Sequence, residues 1–415
     1  MLNLFYDCYT ALNKVYSEKA FIKQALSDTP AEEKNRAAMT KICYGVLDKD
    51  AELSYYIAAL TEKTPKLAVR TILKIAEYSI KYLGKKDYAV IKNAVELTKR
   101  LGKAGASGFV NAFLRKFVAT EIPLPDKGAA RLAVKYSYPE FVVNALVARY
   151  GEERAEKIMS APPPDTALAF YGADGRRYLE EKGVTFSETP FTGVFTARRF
   201  TRNADYDSGL YTFQSLGSVA ICETVKPCDR LLDCCAAPGG KSVRLSYKCK
   251  EITAWDIHPH RTELIESYKR RMGRYNITVG CADAKIFDGR YAEYFDAVLA
   301  DAPCSGMGVA SENPDIKLNR TEKDVASLNA EQLAILNNVC KYVKKGGYLY
   351  YSTCSILPCE NEDICEKFLS AHPEFTAEDS DSALPHEKSG AGITFLPDES
   401  GGAGFFTARF KKAGD

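Results

Sequence analysis

The sequence predicts an α/β fold in three parts: an all-α bundle over residues 1–125, a small α+β connector over 138–213, and a parallel-sheet domain over 214–412. Three observations predict it. Residues 1–125 repeat apolar positions three and four apart, as in AAMTKICYGVL and TILKIAEYSIKYL, which is helical periodicity. After residue 225 compact apolar runs (LLDCC, ITAWDI, ITVGCAD, FDAVLADAP, GYLYYSTCS) alternate with amphipathic stretches, the rhythm of a parallel sheet with helical crossovers. Between them, short aromatic runs are separated by Gly172, Gly183 and Gly193.

Taken in order, the bundle breaks at Asp28 to Pro30, Thr64-Pro65, Gly102 to Gly108 and Ile122 to Pro125, all sites of turn-forming residues. The connector opens with one helix, Glu140 to Met159, and then Pro162-Pro163-Pro164 halts it. In the third part each apolar run ends on a polar or small residue. Ligands of such sheets bind beyond the carboxyl ends of the strands, so those ends hold the candidate site. Residues 360–388 carry nine acidic against two basic residues and read as a solvated face.

Composition narrows the class. With 46% hydrophobic and 27% charged residues the 415-residue chain has the balance of a globular protein. No apolar run reaches the 18 or so residues of a bilayer span, and the first twenty residues lack a signal-peptide core, so a cytoplasmic protein with no membrane partner is expected. The 13 cysteines include no C-x-x-C pair, and there are only four histidines, which excludes zinc-site spacing; no metal is expected. Net charge is only +2, but residues 61–120 hold 13 Lys or Arg against four acidic residues, a local field able to hold a polyanion. A monomer is the default.

The first strand of the third part, Leu231 to Cys235, runs into Ala236, Ala237, Pro238, Gly239, Gly240 and Lys241 and then a helix. Small residues and two glycines there let a ligand approach the backbone. A tight turn with no ligand would use the same residues. Asp256, closing the second strand about 20 residues on, adds a carboxylate able to accept from two ribose hydroxyls. The loop matches neither a dinucleotide fingerprint nor a phosphate loop, so an adenosyl cofactor without phosphates fits best. Asp283, ending the next strand, can accept from an adenine amino group or cap the following turn.

Asp301-Ala302-Pro303-Cys304 ends the fourth strand and Ser352-Thr353-Cys354 the fifth. Adjacent strand ends bring both thiols and Asp301 to one cavity. A single cysteine is usually a small buried hydrophobe, but two at successive strand ends suit a reaction. A thiolate adding to carbon 6 of a cytosine makes carbon 5 nucleophilic, and a base must later remove the carbon 5 proton. Asp301, in acid form or through a shared proton, would hydrogen-bond ring N3 during addition.

Through DCCAAPGGK, DAPCSGMG, NPDIK and STCSILPCENED, the chain resembles the Nol1/Nop2/Sun family of RNA cytosine-C5 methyltransferases. That resemblance implies a Rossmann-like domain that uses S-adenosyl-L-methionine. Cys354 would be the nucleophile and Cys304 the residue that assists release. Cys235 to Lys241, Asp256, Asp283 and Asp301 would line the cofactor site, and Lys317 of NPDIK would lie near RNA unless it is a surface lysine. The helical part resembles the NusB-like RNA-binding domain that heads the RsmB type of this family, through Arg36-Ala37-Ala38 with CYGVL and through FVNAFLRKF. This implies small-subunit (16S) ribosomal RNA as partner, with Arg115 and Lys116 on phosphate rather than on a merely solvated face.

Two departures stand out: ALAFYGAD (Ala167 to Tyr171 and on) lacks the family's Arg-Asn signature, and Gln214 is followed by Ser215 in place of an acidic residue. A different substrate grip is implied. The competing functions are a non-catalytic ribosome-assembly or antitermination factor, a methyltransferase for another RNA, an enzyme for exocyclic amines, and a DNA-type enzyme with Cys304 as attacker. The second-last lacks its Asn/Asp-Pro-Pro-aromatic motif here.

Overall fold

A computed structural model describes residues 1–198 and 200–414, and the chain divides into two compact units. One unit comprises residues 1–160 together with 312–321; the other comprises 161–311 and 322–415.

The first unit is helical. Helices Leu2–Glu18, Glu33–Asp48, Leu67–Lys81, Asp87–Arg100 and Ser107–Ala119 bury one apolar stripe each, with Phe5, Leu12, Ile42, Leu73, Val90 and Leu114 in a shared core. The stripe arises from the three-and-four spacing: on Leu67–Lys81 the buried set includes Ile72, Leu73, Ile75 and Ala76. Each such large side chain contributes about 1.5–3 kcal/mol by leaving water. The expected breaks at Asp28 to Pro30, at Thr64-Pro65 and at the start of Gly102 to Gly108 fall between helices, and Ile122 to Pro125 follows the last of these, while the break after Lys81 was not expected. The expected single helix at 140–159 is instead two, Glu140–Tyr150 and Glu152–Ser160, because Gly151 takes φ 77°, a left-handed value that ends the first. Both halves belong to the helical unit, as does Gly128–Tyr136. The expected connector is therefore divided, and only its part from residue 161 joins the second unit.

The second unit carries two sheets. Strands β1 (Thr166–Phe170), β2 (Phe186–Glu188), β3 (Val194–Ala197) and β4 (Tyr211–Phe213) form an antiparallel sheet in the order β2-β3-β1-β4, packed around Leu168, Phe170 and Tyr211. The larger sheet contains β5 (Cys228–Asp233), β6 (Cys249–Asp256), β7 (Ile277–Cys281), β8 (Phe295–Asp301), β9 (Val343–Thr353), β10 (Phe375–Glu378), β11 (Glu387–Ser389), β12 (Gly392–Phe395) and β13 (Phe405–Lys412). Five strands are parallel, in the order β7-β6-β5-β8-β9, and β13 joins β9 antiparallel. The order reverses between β5 and β8, and in an open parallel sheet that switch point opens a crevice at the carboxyl ends. The apolar runs predicted as strands are the five parallel ones, with β7 at the sheet's edge. Beyond β13, short strands β11 and β12 extend the edge, while β10 pairs with the far half of β13.

Candidate active site

Five strand ends, those of β5 to β9, line one cavity around the switch point. After β5 the chain is pinned on both sides: Cys234 N–H donates to the Leu299 carbonyl (3.0 Å) and Ala236 N–H to that of Trp255 (2.7 Å). Gly239 sits at φ 106°, a conformation that favours glycine, and a Cβ there would press within 3.3 Å of the Ile265 backbone. Gly240 opens the helix Gly240–Leu245, and its carbonyl accepts from Gln214 Nε2 (3.3 Å). Ser215, where the family has an acid, caps helix Leu216–Thr224 by accepting from Ser218 N–H.

A cavity of about 350 Å³ opens above these ends, and Cys235, Ala237, Asp256, Asp283, Asp301, Cys304 and Cys354 line it. Of the predicted loop, Ala236 is buried under the cavity and Pro238 is exposed. Asp256 is only 2% exposed; its oxygens accept from His258 N–H (3.1 Å) and pair with Arg261 (3.2 Å). Arg261 also donates to the Ala237 carbonyl (3.2 Å), tying the end of β6 to the glycine loop. Sequence reasoning did not single out Arg261; nothing in its local pattern distinguishes it from its neighbours on Pro259–Arg271. Asp283 lines the cavity and also accepts from Lys285 N–H (2.9 Å), the contact expected of a residue that caps the following turn.

At the end of β8, Asp301 accepts from Lys241 Nζ (2.7 Å) and from Ser352 Oγ (2.7 Å). Burial pushes the Lys241 ammonium toward neutrality, but the adjacent Asp301 carboxylate outweighs it and holds Lys241 above its ordinary value. The predicted loop lysine is thus a charged partner of the predicted carboxylate. Beneath them, Asp233 is wholly buried and its carboxyl is pushed up to about 7, chiefly by desolvation.

The two thiols meet. Cys304 Sγ and Cys354 Sγ lie 3.0 Å apart, and Cys354 N–H points at Cys304 Sγ (3.3 Å). The hydrogen bond to Cys354, followed by burial, pushes the Cys304 thiol well above its ordinary value.

Lys317 is not where the sequence reading put it. It is 7% exposed inside the helical unit, with Nζ on Asp48 (2.8 Å) and the Tyr136 carbonyl (3.0 Å) and over the Tyr138 ring. Neither an RNA contact nor a surface lysine describes it: the ammonium is consumed in clasping residues 312–321 to the helices. Arg115 and Lys116 are exposed on helix Ser107–Ala119, outside the cavity.

The cavity suits an adenosyl cofactor. Carboxylates at two successive strand ends accept from hydroxyl and amino groups, the glycine loop permits close approach, and the nearby cations Arg261 and Lys285 are already paired with Asp256 and Glu331. Among the described residues no cluster of three or more His, Cys, Asp or Glu is arranged to hold a metal, and no helix is long and apolar enough to cross a membrane.

Comparison with known proteins gives the family. Residues 221–411 match the family model for the 16S rRNA methyltransferase RsmB/F, and residues 2–119 match the NusB family. The chain is 32% identical over 435 residues to a probable ribosomal RNA small subunit methyltransferase B of Bacillus subtilis, covering 97% of this chain and 96% of that one. To the ribosomal RNA small subunit methyltransferase B of Photorhabdus laumondii it is 28% identical, covering 92% and 91%. Among solved structures, PH0851 superposes with a TM-score of 0.83 at 22% identity over 99% of both chains. A methyltransferase homolog from Pyrococcus horikoshii gives 0.59 at 24% identity, over 68% of this chain and 98% of its own. With a glycine loop, paired strand-end carboxylates and a NusB-type bundle in one chain, this protein belongs to the RsmB/F methyltransferase family and is an S-adenosylmethionine-dependent RNA methyltransferase.

Proposed function

We propose that this enzyme methylates carbon 5 of a cytosine in small-subunit ribosomal RNA through a covalent adduct on Cys354. The substrate class follows that of its relatives, the small-subunit ribosomal RNA methyltransferases, and the observation that carries the chemistry is the 3.0 Å approach of two thiols beside Asp301. Bound in the glycine-loop cavity, the cofactor supplies an electrophilic methyl group.

The chain's own groups do the rest. Cys354, as thiolate, adds to carbon 6 of the cytosine; the 5,6 double bond becomes a single bond and the ring an enamine, nucleophilic at carbon 5. The charge that develops moves to ring N3, where the proton shared by the Lys241–Asp301 pair is available to hydrogen-bond. Because Asp301 already accepts two hydrogen bonds, the shared proton, rather than a free carboxylic acid, suits the geometry. Once carbon 5 carries the methyl, Cys304, having released its own thiol proton to water, takes the carbon 5 proton as a thiolate, the electron pair of that C–H bond re-forms the 5,6 double bond and the Cys354 sulfur leaves as thiolate. Cys235, Ala237, Asp256 and Asp283 would hold the adenosine end of the cofactor, with Gly239 and Gly240 shaping the loop beside them.

The target base has to leave its stack or come from a loop to reach this cavity. Arg115 and Lys116 then contact phosphate on the helical unit. All the groups invoked come from one chain, so a monomer suffices. The reading is tested by incubating the purified protein with labelled S-adenosylmethionine and small-subunit ribosomal RNA, then digesting to nucleosides. Label in 5-methylcytidine is the expected result; label in an amine-methylated nucleoside overturns it, and no transfer at all favours the non-catalytic assembly factor.

A further inference from the structure

Beneath the two thiols lies a carboxylate that the mechanism does not use. Glu360 is completely buried, in the single-turn helix Pro358–Glu360 just after the Cys354 strand end. One of its oxygens, Oε1, accepts from Ser305 N–H (2.7 Å) and Gln332 Nε2 (3.2 Å); the other, Oε2, accepts from the hydroxyls of both Ser305 and Ser355. Ser305 follows Cys304 and Ser355 follows Cys354 in the chain. The two serines are also within 3.3 Å of each other.

These loops come from different strands, 50 residues apart, and nothing covalent sets their separation. A buried charge is costly unless saturated with donors, so Glu360 holds both serines firmly; moving either loop away leaves a carboxylate oxygen short of a partner in a dry site. Each serine hydroxyl accepts in turn from a backbone N–H of its own loop, Met307 for Ser305 (3.3 Å) and Leu357 for Ser355 (3.1 Å). A second tie runs parallel: Gly308 N–H donates to the Cys354 carbonyl (3.0 Å), at a place where a Cβ would collide with that carbonyl and with Gly404.

We propose that Glu360 is a positioning residue that sets the spacing of the two thiols by gripping the residue after each of them. It touches no reacting atom. Its effect is to place Cys304 at carbon 5 while Cys354 is bonded to carbon 6. The inference rests on the roles given to the two cysteines above, and it separates their loops experimentally.

Ser305→Ala removes the hydroxyl arm on the Cys304 side. With both cysteines intact, it slows release: kcat falls ~10-fold, KM for S-adenosylmethionine stays unchanged, and an SDS-stable protein–RNA adduct absent from wild type accumulates. Ser355→Ala removes the arm on the Cys354 side. In a Cys304→Ala background, it forms the trapped adduct ~10-fold more slowly than Cys304→Ala alone. Glu360→Gln turns one acceptor oxygen into a donor facing two hydroxyls and shows both effects.

Serine variants that turn over and trap at their parents' rates overturn the inference. So does a Glu360→Gln protein that loses activity with no change in adduct, since a purely structural residue behaves that way. If Cys304→Ala itself traps nothing, the cysteine roles fall, and the kcat of the two serine variants then decides the inference by itself.

Discussion

Two motif-bearing loops leave neighbouring stretches of the same chain and end in opposite circumstances. Asp301 to Ser305 stays at the carboxyl end of β8 and delivers a carboxylate and a thiol into a cavity. Eight residues further on, Asn313 to Lys317 leaves the sheet unit altogether, and its lysine is buried among helices on Asp48. The first loop presents chemistry; the second is a fastening. A run of distinctive residues thus reports a constraint on the chain, and only the destination of each side chain tells whether the constraint is chemical.

The strongest way to sharpen that contrast is on the cavity side. Cys354→Ala should lower methyl transfer by ~10⁴-fold or more, with cofactor affinity retained, as measured by single-turnover labelling and equilibrium binding. Residual transfer within ~10-fold of wild type would make Cys354 another packed thiol and erase the difference between the loops.

On the fastening side, Lys317→Ala removes a buried side chain from Asp48, which is part-exposed and keeps Lys49 at 3.6 Å, and should cost about 1–2 kcal/mol of stability, read by denaturant unfolding. Its RNA affinity should keep the wild-type salt dependence. A log–log salt slope smaller by about one would instead place the ammonium on phosphate and break the comparison.

Beneath the cavity, Asp233 predicts a pH effect. Its carboxyl is raised from 3.8 to about 7, so the folded protein binds this proton more tightly than the unfolded chain does. The stabilisation is fully present below pH 3.8 and is lost as pH rises through about 7. Wild type should therefore lose up to ~3 kcal/mol relative to Asp233→Asn between pH 5 and pH 8, measured by unfolding at both. An equal gap at the two pH values contradicts this.

The smallest effects belong to exposed cations. Arg115→Ala and Lys116→Ala should each weaken RNA binding a few-fold and reduce the salt slope by about one, with kcat unchanged. Unaltered binding in both would leave these residues as a solvated helix face.

The parallel core of the fold was legible because its signals are local: an apolar run, a glycine or proline, a helix. The same holds for the loop around Gly239 and for the two cysteines, since a strand end in such a sheet has one destination. Gly151 was also visible as a glycine, yet its power to split a helix depends on adopting φ 77°, which composition does not dictate. Arg261, Glu360 and Lys317 were opaque for a shared reason. Each derives its role from a partner far away in sequence or across a turn, namely Ala237, Ser305 and Asp48, and charged residues on amphipathic segments look alike until those partners are assembled. The short strands β10 and β12 exist because β13 offers them an open edge, and β11 adds to β12 in turn, again a tertiary cause.

The most direct test maps the RNA-linked peptide by mass spectrometry after Cys304→Ala protein has been incubated with substrate RNA and S-adenosylmethionine. The account predicts a single cytosine-derived mass on the peptide containing Cys354. An adduct that instead forms through Cys304, in Cys354→Ala protein, would reverse the two roles and contradict it.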